Sequence, residues 1–425
     1  MTPPVSPEIV SEPPSPPESQ NPFRIPAYRN FWIARLCSVL GFSSQSAVIA
    51  WQIYETARKD SGIGEAALYI GLMGLTQFIA MFAFTLPAGI VADRYDRKKI
   101  MGYTIAAQAV IALGYMGLSA LDHPPIAGLI ALSFFLGASR AFIAPASSAI
   151  GPMLVPKAIL PRAIASNALA FQIGGISGAA VSGLLLSVSA MFAYGFSAAL
   201  FVIGGVLIAT LKADTHPVNA PTGSKMEMVR EGLIYIWTNK IVFGALSLDL
   251  AAVLLGGATA LLPIFARDIL HAGEIGYGAL RAAPAAGAMM TALWLARRPL
   301  KYKAGKWMYG GVAVFGLMTI IFGLSTNIFV SVAALAVLGA ADMVSVFVRG
   351  TLVQIVTPDP MRGRVASVSY LFIGASNELG EFESGVATRL LGPIGAALFG
   401  GIGAILVTGA WIKLFPALYR VDRLE

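Results

Sequence analysis

Five charged residues lie where charge is expensive. Arg140, Asp249, Asp342, Glu378 and Glu381 each fall inside a long run of apolar residues. At the centre of a membrane helix a charged side chain costs roughly 2.5–3.5 kcal/mol. Such residues persist where they pair with one another, face water or act on something. A guanidinium presents a planar fork of donors that suits an oxygen anion. Arg140 is therefore a candidate for holding an anionic substrate group, or for an internal ion pair. A carboxylate held away from water is poised to take up and release a proton. Asp342, Glu378 and Glu381 are accordingly candidates for proton coupling. Glu378 and Glu381 are three residues apart and about 60° apart on a helical wheel, so they share a face, whereas Glu383 points elsewhere. Two structural alternatives stay open beside this reading: a fixed Arg140–Asp342 ion pair, and neutralisation of the glutamates by Arg349.

Little else in the chain reads as reaction chemistry. His123, His216 and His271 sit in three separate loops with no metal-ligand spacing. No phosphate-binding loop, G-x-S-x-G or H-E-x-x-H occurs. A single cysteine, Cys37, precludes a disulfide framework. The expectation is a protein that is not an enzyme and that needs no cofactor and no metal.

The elements that must hold these side chains follow from composition. Only 12% of the 425 residues are charged and 56% are hydrophobic, against about a quarter charged in a soluble domain. Apolar runs of roughly 20 residues span a bilayer as helices, and helices satisfy their own backbone in lipid. Spans are expected at about 31–54, 68–90, 99–121, 126–148, 163–188, 191–211, 241–266, 276–296, 307–325, 328–355, 365–390 and 393–415. That makes an all-α membrane protein with twelve transmembrane helices. The basic loop at Arg94, Arg97, Lys98 and Lys99 belongs on the cytoplasmic side. Alternating sides from there puts most Lys and Arg inside, and only Arg58, Lys59, Arg267, Arg281 and Arg389 outside. Both termini come out cytoplasmic. The formal charge of +8 is thus a topology signal, and no nucleic-acid partner is expected.

The chain divides as a disordered, proline-rich tail (1–22), a first bundle (23–211), a linker (212–240) and a second bundle (241–425). The tail lacks the apolar core of a secretion signal. In the linker, Pro217, Pro221 and Gly223 read as loop. Met226, Val229, Leu233, Ile236 and Trp237 fall on one side at helical spacing, which fits either a surface-lying amphipathic helix or a plain connector. An internal repeat relates the bundles. Leu136-Gly137-Ala138 recurs as Leu338-Gly339-Ala340, and Ile164-Ala165-Ser166 as Val365-Ala366-Ser367. Asp342 then occupies the repeat position of Arg140. Gly174, Gly175, Gly178 and Gly183 give the fifth span a small-residue face for close packing.

Against this background the chain resembles the major facilitator superfamily. That family's loop between helices two and three has the form G-x-x-x-D-R-x-G-R-R/K, matched here by Gly89, Asp93, Arg94, Arg97 and Lys98, with Asp96 in place of the second glycine. This departure is similar to the branch containing enterobactin exporters and secretion effectors. Similar too are Arg29-Asn30-Phe31-Trp32, Trp51-Gln52-Ile53-Tyr54, Arg362-Gly363-Arg364-Val365, Asn377-Glu378-Leu379-Gly380-Glu381 and Phe415-Pro416. The resemblance implies a plasma (inner) membrane, monomeric secondary transporter with two pseudo-symmetric six-helix bundles and alternating access. It implies a cavity lined by helices one, four, seven and ten, hence by Gln45, Gln52, Arg140, Asp249 and Asp342. It further implies a cytoplasmic gate in which Asp93, with Gly89, Arg94 and Arg97, meets the start of helix eleven at Arg362 and Arg364. The equivalent loop from Ala296 to Lys306 lacks the acid, so the latch is expected once. The expected activity is proton-coupled export of a siderophore or amphipathic drug-like molecule. A carrier of lipid-like molecules, or an importer of a small solute, is the alternative.

Overall fold

Short polar side chains mark where several helices begin. Ser189, Asn239 and Asn327 each accept hydrogen bonds from first-turn amides of the helix that follows, and Asp96 does the same for the third helix. The computed structural model describes residues 21–216, 225–298, 300 and 302–423. The proline-rich segment 1–20 and the linker residues Pro217, Pro221 and Gly223 lie outside the described residues.

Six long helices come first: α1 (Pro26–Asp60), α2 (Ile63–Arg94), α3 (Arg97–Ser119), α4 (Ile126–Met153), α5 (Leu160–Leu186) and α6 (Ala190–Ala209). The linker helix α7 (Lys225–Thr238) follows. Then come α8 (Lys240–Leu255), the short α9 (Leu262–Ile264), α10 (Gly273–Arg297), α11 (Ala304–Leu324), α12 (Ile328–Val356), α13 (Asp359–Leu414) and the final turn α14 (Pro416–Tyr419). No strand occurs among the described residues. Ten helical runs are long and apolar enough to cross a membrane. Large apolar side chains such as Phe82, Leu390 and Phe329 face outward, as expected where hydrocarbon is the solvent.

Two irregularities matter. The expected span 241–266 is interrupted. α8 stops at Leu255, Gly256 and Gly257 break the run, and the chain resumes through a 3-10 turn (Ala258–Leu261), α9 and a π turn (Phe265–Ile269). The break is also a place of close approach, since a Cβ on Gly257 would stand 2.8 Å from the Gly380 carbonyl oxygen. The other is in α13, whose 56 residues would make a straight rod of about 84 Å against a hydrocarbon core of about 30 Å. Gly392, at φ 74° and ψ 169°, turns the chain ahead of Pro393 and divides the run. Positive φ of this kind is open to glycine without a Cβ penalty.

Packing follows the small residues. Gly174 and Gly178 seat α5 on Val39 and Leu40 of α1, and Gly183 meets Gly278 of α10. The repeated Leu-Gly-Ala triplet does equivalent work twice. A Cβ on Gly137 of α4 would lie 2.5 Å from the Gln77 carbonyl oxygen of α2, and Gly339 of α12 abuts the Pro284 carbonyl of α10. Among the first six helices, α1 packs with α5 and α6, α2 with α4, and α3 with α4 and α6. Beyond the linker, α12 packs with α10 and α11, and α13 with α8 and α11. The two sets meet chiefly along α2–α13 and α5–α10.

The linker helix differs from the expected stripe. Val229 and Ile236, together with Tyr235, pack against α8 and the start of α13, whereas Leu233 and Trp237 are exposed. The reason is a specific dock. Glu231 pairs with Arg364, the Tyr235 hydroxyl donates to the Val356 carbonyl at 2.9 Å, and Gly232 lies against the Arg364 backbone.

Candidate functional site

The helix crossings enclose a cavity of about 400 Å³ whose wall includes Phe42 of α1, Gln77 of α2 and Arg140 of α4. Facing them are the Gly256–Gly257 break, Arg281 of α10, Asp342 of α12, and Glu378 and Glu381 of α13. Arg140 forms an ion pair with Glu378, and its guanidinium lies 5.1 Å from the centre of the Phe42 ring, a cation–π arrangement that fixes its direction. The pair joins a helix from before the linker to one from after it. Glu381 sits one turn along α13, with α2 brought close because Gly74 has no side chain to clash with it. Among the described residues neither Asp342 nor Glu381 makes an ion pair.

Several expected placements change. Arg140 takes Glu378 as its partner in place of Asp342. Arg349 pairs with Asp249 behind the cavity wall, both side chains being buried, so it does not neutralise the glutamates, and Asp249 is not a lining residue. Gln52 turns away from the cavity. Its amide donates to Ser119 Oγ at 2.7 Å and its carbonyl accepts from the Tyr194 hydroxyl at 2.7 Å. Gln45 is fully buried and also absent from the wall, with neither amide atom hydrogen-bonded. The gain is Arg281, read from the sequence as an outer topology cation. It lines the cavity. The available signal was its position within the expected span 276–296 rather than beyond its edge.

At the end of the molecule opposite the Arg94 loop, α1 and the π turn are laced together. The Tyr54 hydroxyl donates to Asp268 at 2.6 Å and Arg58 reaches the same carboxylate at 3.1 Å. Arg267 pairs with Glu55 at 3.0 Å, and the Tyr277 hydroxyl donates to the Ala47 carbonyl at 2.9 Å. At the other end, Arg362 pairs with Asp359 at 2.7 Å and Arg364 is held by Glu231. Arg97 donates to the Ala92 carbonyl at 3.4 Å and approaches Met153 Sδ at 3.1 Å.

Asp96, the departure from the signature, has a structural role. Its carboxylate accepts the Lys98 amide at 3.0 Å and the Thr215 hydroxyl, while Lys98 Nζ donates to the Leu211 carbonyl at 2.9 Å. The end of α6 is thereby fastened to the start of α3. In the adjoining turn the His216 amide and ring, 2.7 Å from the carboxylate, hold Asp214 below the usual carboxylate range. After α14, the Asp422 carboxylate accepts the Lys303 amide at 3.1 Å and its carbonyl accepts the Ala304 amide at 3.2 Å. Asp96 and Thr215 are 119 residues apart, and so are Lys303 and Asp422. The same joint is built twice, with the acid on opposite members.

Comparison with known proteins agrees with this architecture. The transmembrane secretion effector family matches residues 18–424. The enterobactin exporters EntS of Shigella dysenteriae serotype 1 and Escherichia coli O1:K1 are each 26% identical over 386 residues, covering 90% of this chain and 86% of theirs. Among solved structures, the POT family transporter PepTSo aligns with a TM-score of 0.76 at 13% identity, over 93% of this chain and 98% of that one. A bacterial homologue of the lysosomal transporter Spinster, inward-facing and unoccupied, aligns at 0.68 and 14% identity, over 93% and 96%. These structural likenesses speak to the fold. The family match along nearly the whole chain, with ten membrane-length apolar helices among the described residues, identifies an integral, multi-pass membrane transporter, not an enzyme, and the chain belongs to the transmembrane secretion effector family of the major facilitator superfamily.

Proposed function

We propose that this transporter is a proton-coupled exporter of a siderophore or a similar amphipathic molecule. The observation that carries the reading is the Arg140–Glu378 pair, which ties the two sets of helices across a cavity that also holds two carboxylates without ion pairs. Likeness to enterobactin exporters over 90% of the chain supports the substrate class. The test is purified protein in liposomes under an imposed pH gradient, assayed with enterobactin and a panel of siderophores and dyes. Substrate-dependent proton flux is expected, and a panel that moves under no gradient would sink the reading.

The architecture we propose has twelve spans. α10 has the length for a further crossing, its hydropathy lowered by Glu274 and Arg281, and Gly392 is the turn between the last two spans. Six spans then precede α7 and six follow, with both termini on the cytoplasmic side of the Arg94 loop. Asp342 and Glu381 are the proton carriers, and Glu378 serves with Arg140. Flux by the wild type is expected to vary with pH, and Asp342→Asn and Glu381→Gln to flatten that dependence. An unaltered pH profile in both variants removes them from the coupling role.

Alternating access supplies a role for the two ends. The Tyr54–Asp268–Arg58 cluster and the Glu55–Arg267 pair are the outer lock. Asp268→Asn weakens a partly exposed ion pair, an effect of about 0.2–1 kcal/mol, so the outward-open population rises by about 1.4- to fivefold. Maleimide labelling of a cysteine placed at Ser46, a cavity residue, reports this from the outer side, and unchanged labelling rejects the lock. At the inner end Asp93 is the latch, with Gly89, Arg94 and Arg97 shaping its loop and Arg362 and Arg364 marking the docking site on α13. Asp93→Asn is expected to lower flux severalfold with normal membrane insertion, whereas wild-type flux in vesicles argues against a latch.

A further inference from the structure

Two guanidinium groups face the cavity, and they are differently employed. Arg140 is neutralised by Glu378. Arg281 has no ion pair or hydrogen bond among the described residues. The Glu381 carboxylate on the cavity wall acts on it electrostatically without forming an ion pair, so its fork of donors stays open to an anionic group that enters the cavity. The helix crossing fixes where it stands. α10 and α12 touch at Pro284 and Gly339. Arg281 lies one turn from that contact toward the lock at Asp268, and Asp342 lies one turn from it toward the opposite end.

Arg140 differs in having its anion already supplied. The Glu378 carboxylate occupies the donor fork that a ligand carboxylate or catecholate would fill, and Phe42 holds the guanidinium in place beneath it. We infer that Arg281 and Arg140 together form a two-point clamp for a ligand bearing two acidic oxygen groups. Arg281 takes the first group, and the second displaces Glu378 from Arg140. The clamp therefore senses occupancy. Displacing Glu378 breaks the ion pair between α4 and α13, which joins the two sets of helices, so that filling the cavity and loosening it become one event. The shared chemistry is a pair of oxygens matched to a planar fork. The inference rests on the exporter reading for which anion is carried, and on geometry for which residues read it.

The test uses full-length protein in nanodiscs and direct titration with dihydroxybenzoate, which has a carboxylate and a catechol on one ring, with benzoate and catechol as separate arms. Arg281→Gln is expected to weaken dihydroxybenzoate binding by at least about tenfold, the scale of one lost charge-assisted fork, with Arg281→Lys in between. Glu378→Gln is expected to tighten it severalfold, because the internal competitor is gone, and a merely damaged fold would not produce a gain. Whichever single-group arm keeps its sensitivity to Arg281 names the group that Arg281 reads. Equal affinity in Arg281→Gln, weaker affinity in Glu378→Gln, or no binding of any of the three compounds to wild type overturns the clamp. Intact, Arg281-dependent binding with no siderophore flux would instead overturn the exporter reading and leave the clamp standing.

Discussion

Arg140→Gln is expected to cut transport by about a hundredfold and to lower the melting temperature as well. The substitution strands Glu378, whose side chain is only 7% exposed. Removing one member of a buried ion pair costs about 3–5 kcal/mol, largely because the other charge is left without compensation. Stability and transport separate in the double variant Arg140→Gln with Glu378→Gln. That protein carries no stranded charge and should melt close to the wild type, yet it still lacks the fork that grips substrate, so its flux stays low. The two sites are in contact, and their effects on stability should therefore be strongly non-additive. Calorimetry or fluorescence melting gives the first readout and liposome flux the second. A double variant that transports normally reduces Arg140 to a structural residue.

The other large effect is steric. Gly339→Val is expected to abolish recovery of folded protein, and Gly137→Val to do nearly the same. At both positions the new side chain meets a neighbouring backbone carbonyl, Pro284 in one case and Gln77 in the other. A backbone cannot swing aside as a flexible side chain can. Overpacking costs about 1–3 kcal/mol where side chains yield, and more where they cannot. The control is Gly310→Ala in α11, where a Cβ meets nothing within 4 Å, and which should be neutral or slightly stabilising because alanine is the better helix former. Size-exclusion profiles of the solubilised variants discriminate the cases. Monodisperse, wild-type-like Gly339→Val would mean that α10 and α12 can separate without loss of the fold.

These glycines also mark how far the sequence could be read. The triplets at 136–138 and 338–340 disclose both a duplication and the place where helices touch, because close approach demands a residue with no side chain. Span edges were legible for the same kind of reason. A charge or a turn residue ends a run, and the observed helices α3, α4, α6 and α12 begin within two residues of the expected positions. The direction in which a span faces was far less legible. In water a helix betrays its inner face by polarity, whereas lipid and protein core are both apolar. Gln52 therefore could not be told from a cavity residue until Tyr194 and Ser119 were seen to hold it. Arg281 was hidden by the opposite error, since a cation near a span edge looks like a topology marker. The pairing of Arg140 with Glu378 joins residues 238 positions apart, and no local pattern encodes such a partnership. The break at Gly256 and Gly257 was visible as a glycine pair, but its meaning depends on Gly380 pressing from another helix.

The doubled joint, Thr215 on Asp96 and Asp422 on Lys303, bears on how the polypeptide could be divided. The stretch after α6 is clasped to the turn before α3, and the stretch after α14 to the turn before α11, so each clasp lies wholly on one side of α7. A chain severed between Thr215 and Lys225 would keep both clasps whole. The covalent connection ahead of α7 takes no part in either clasp, and α7 itself would stay docked on α13 through Glu231 and Arg364.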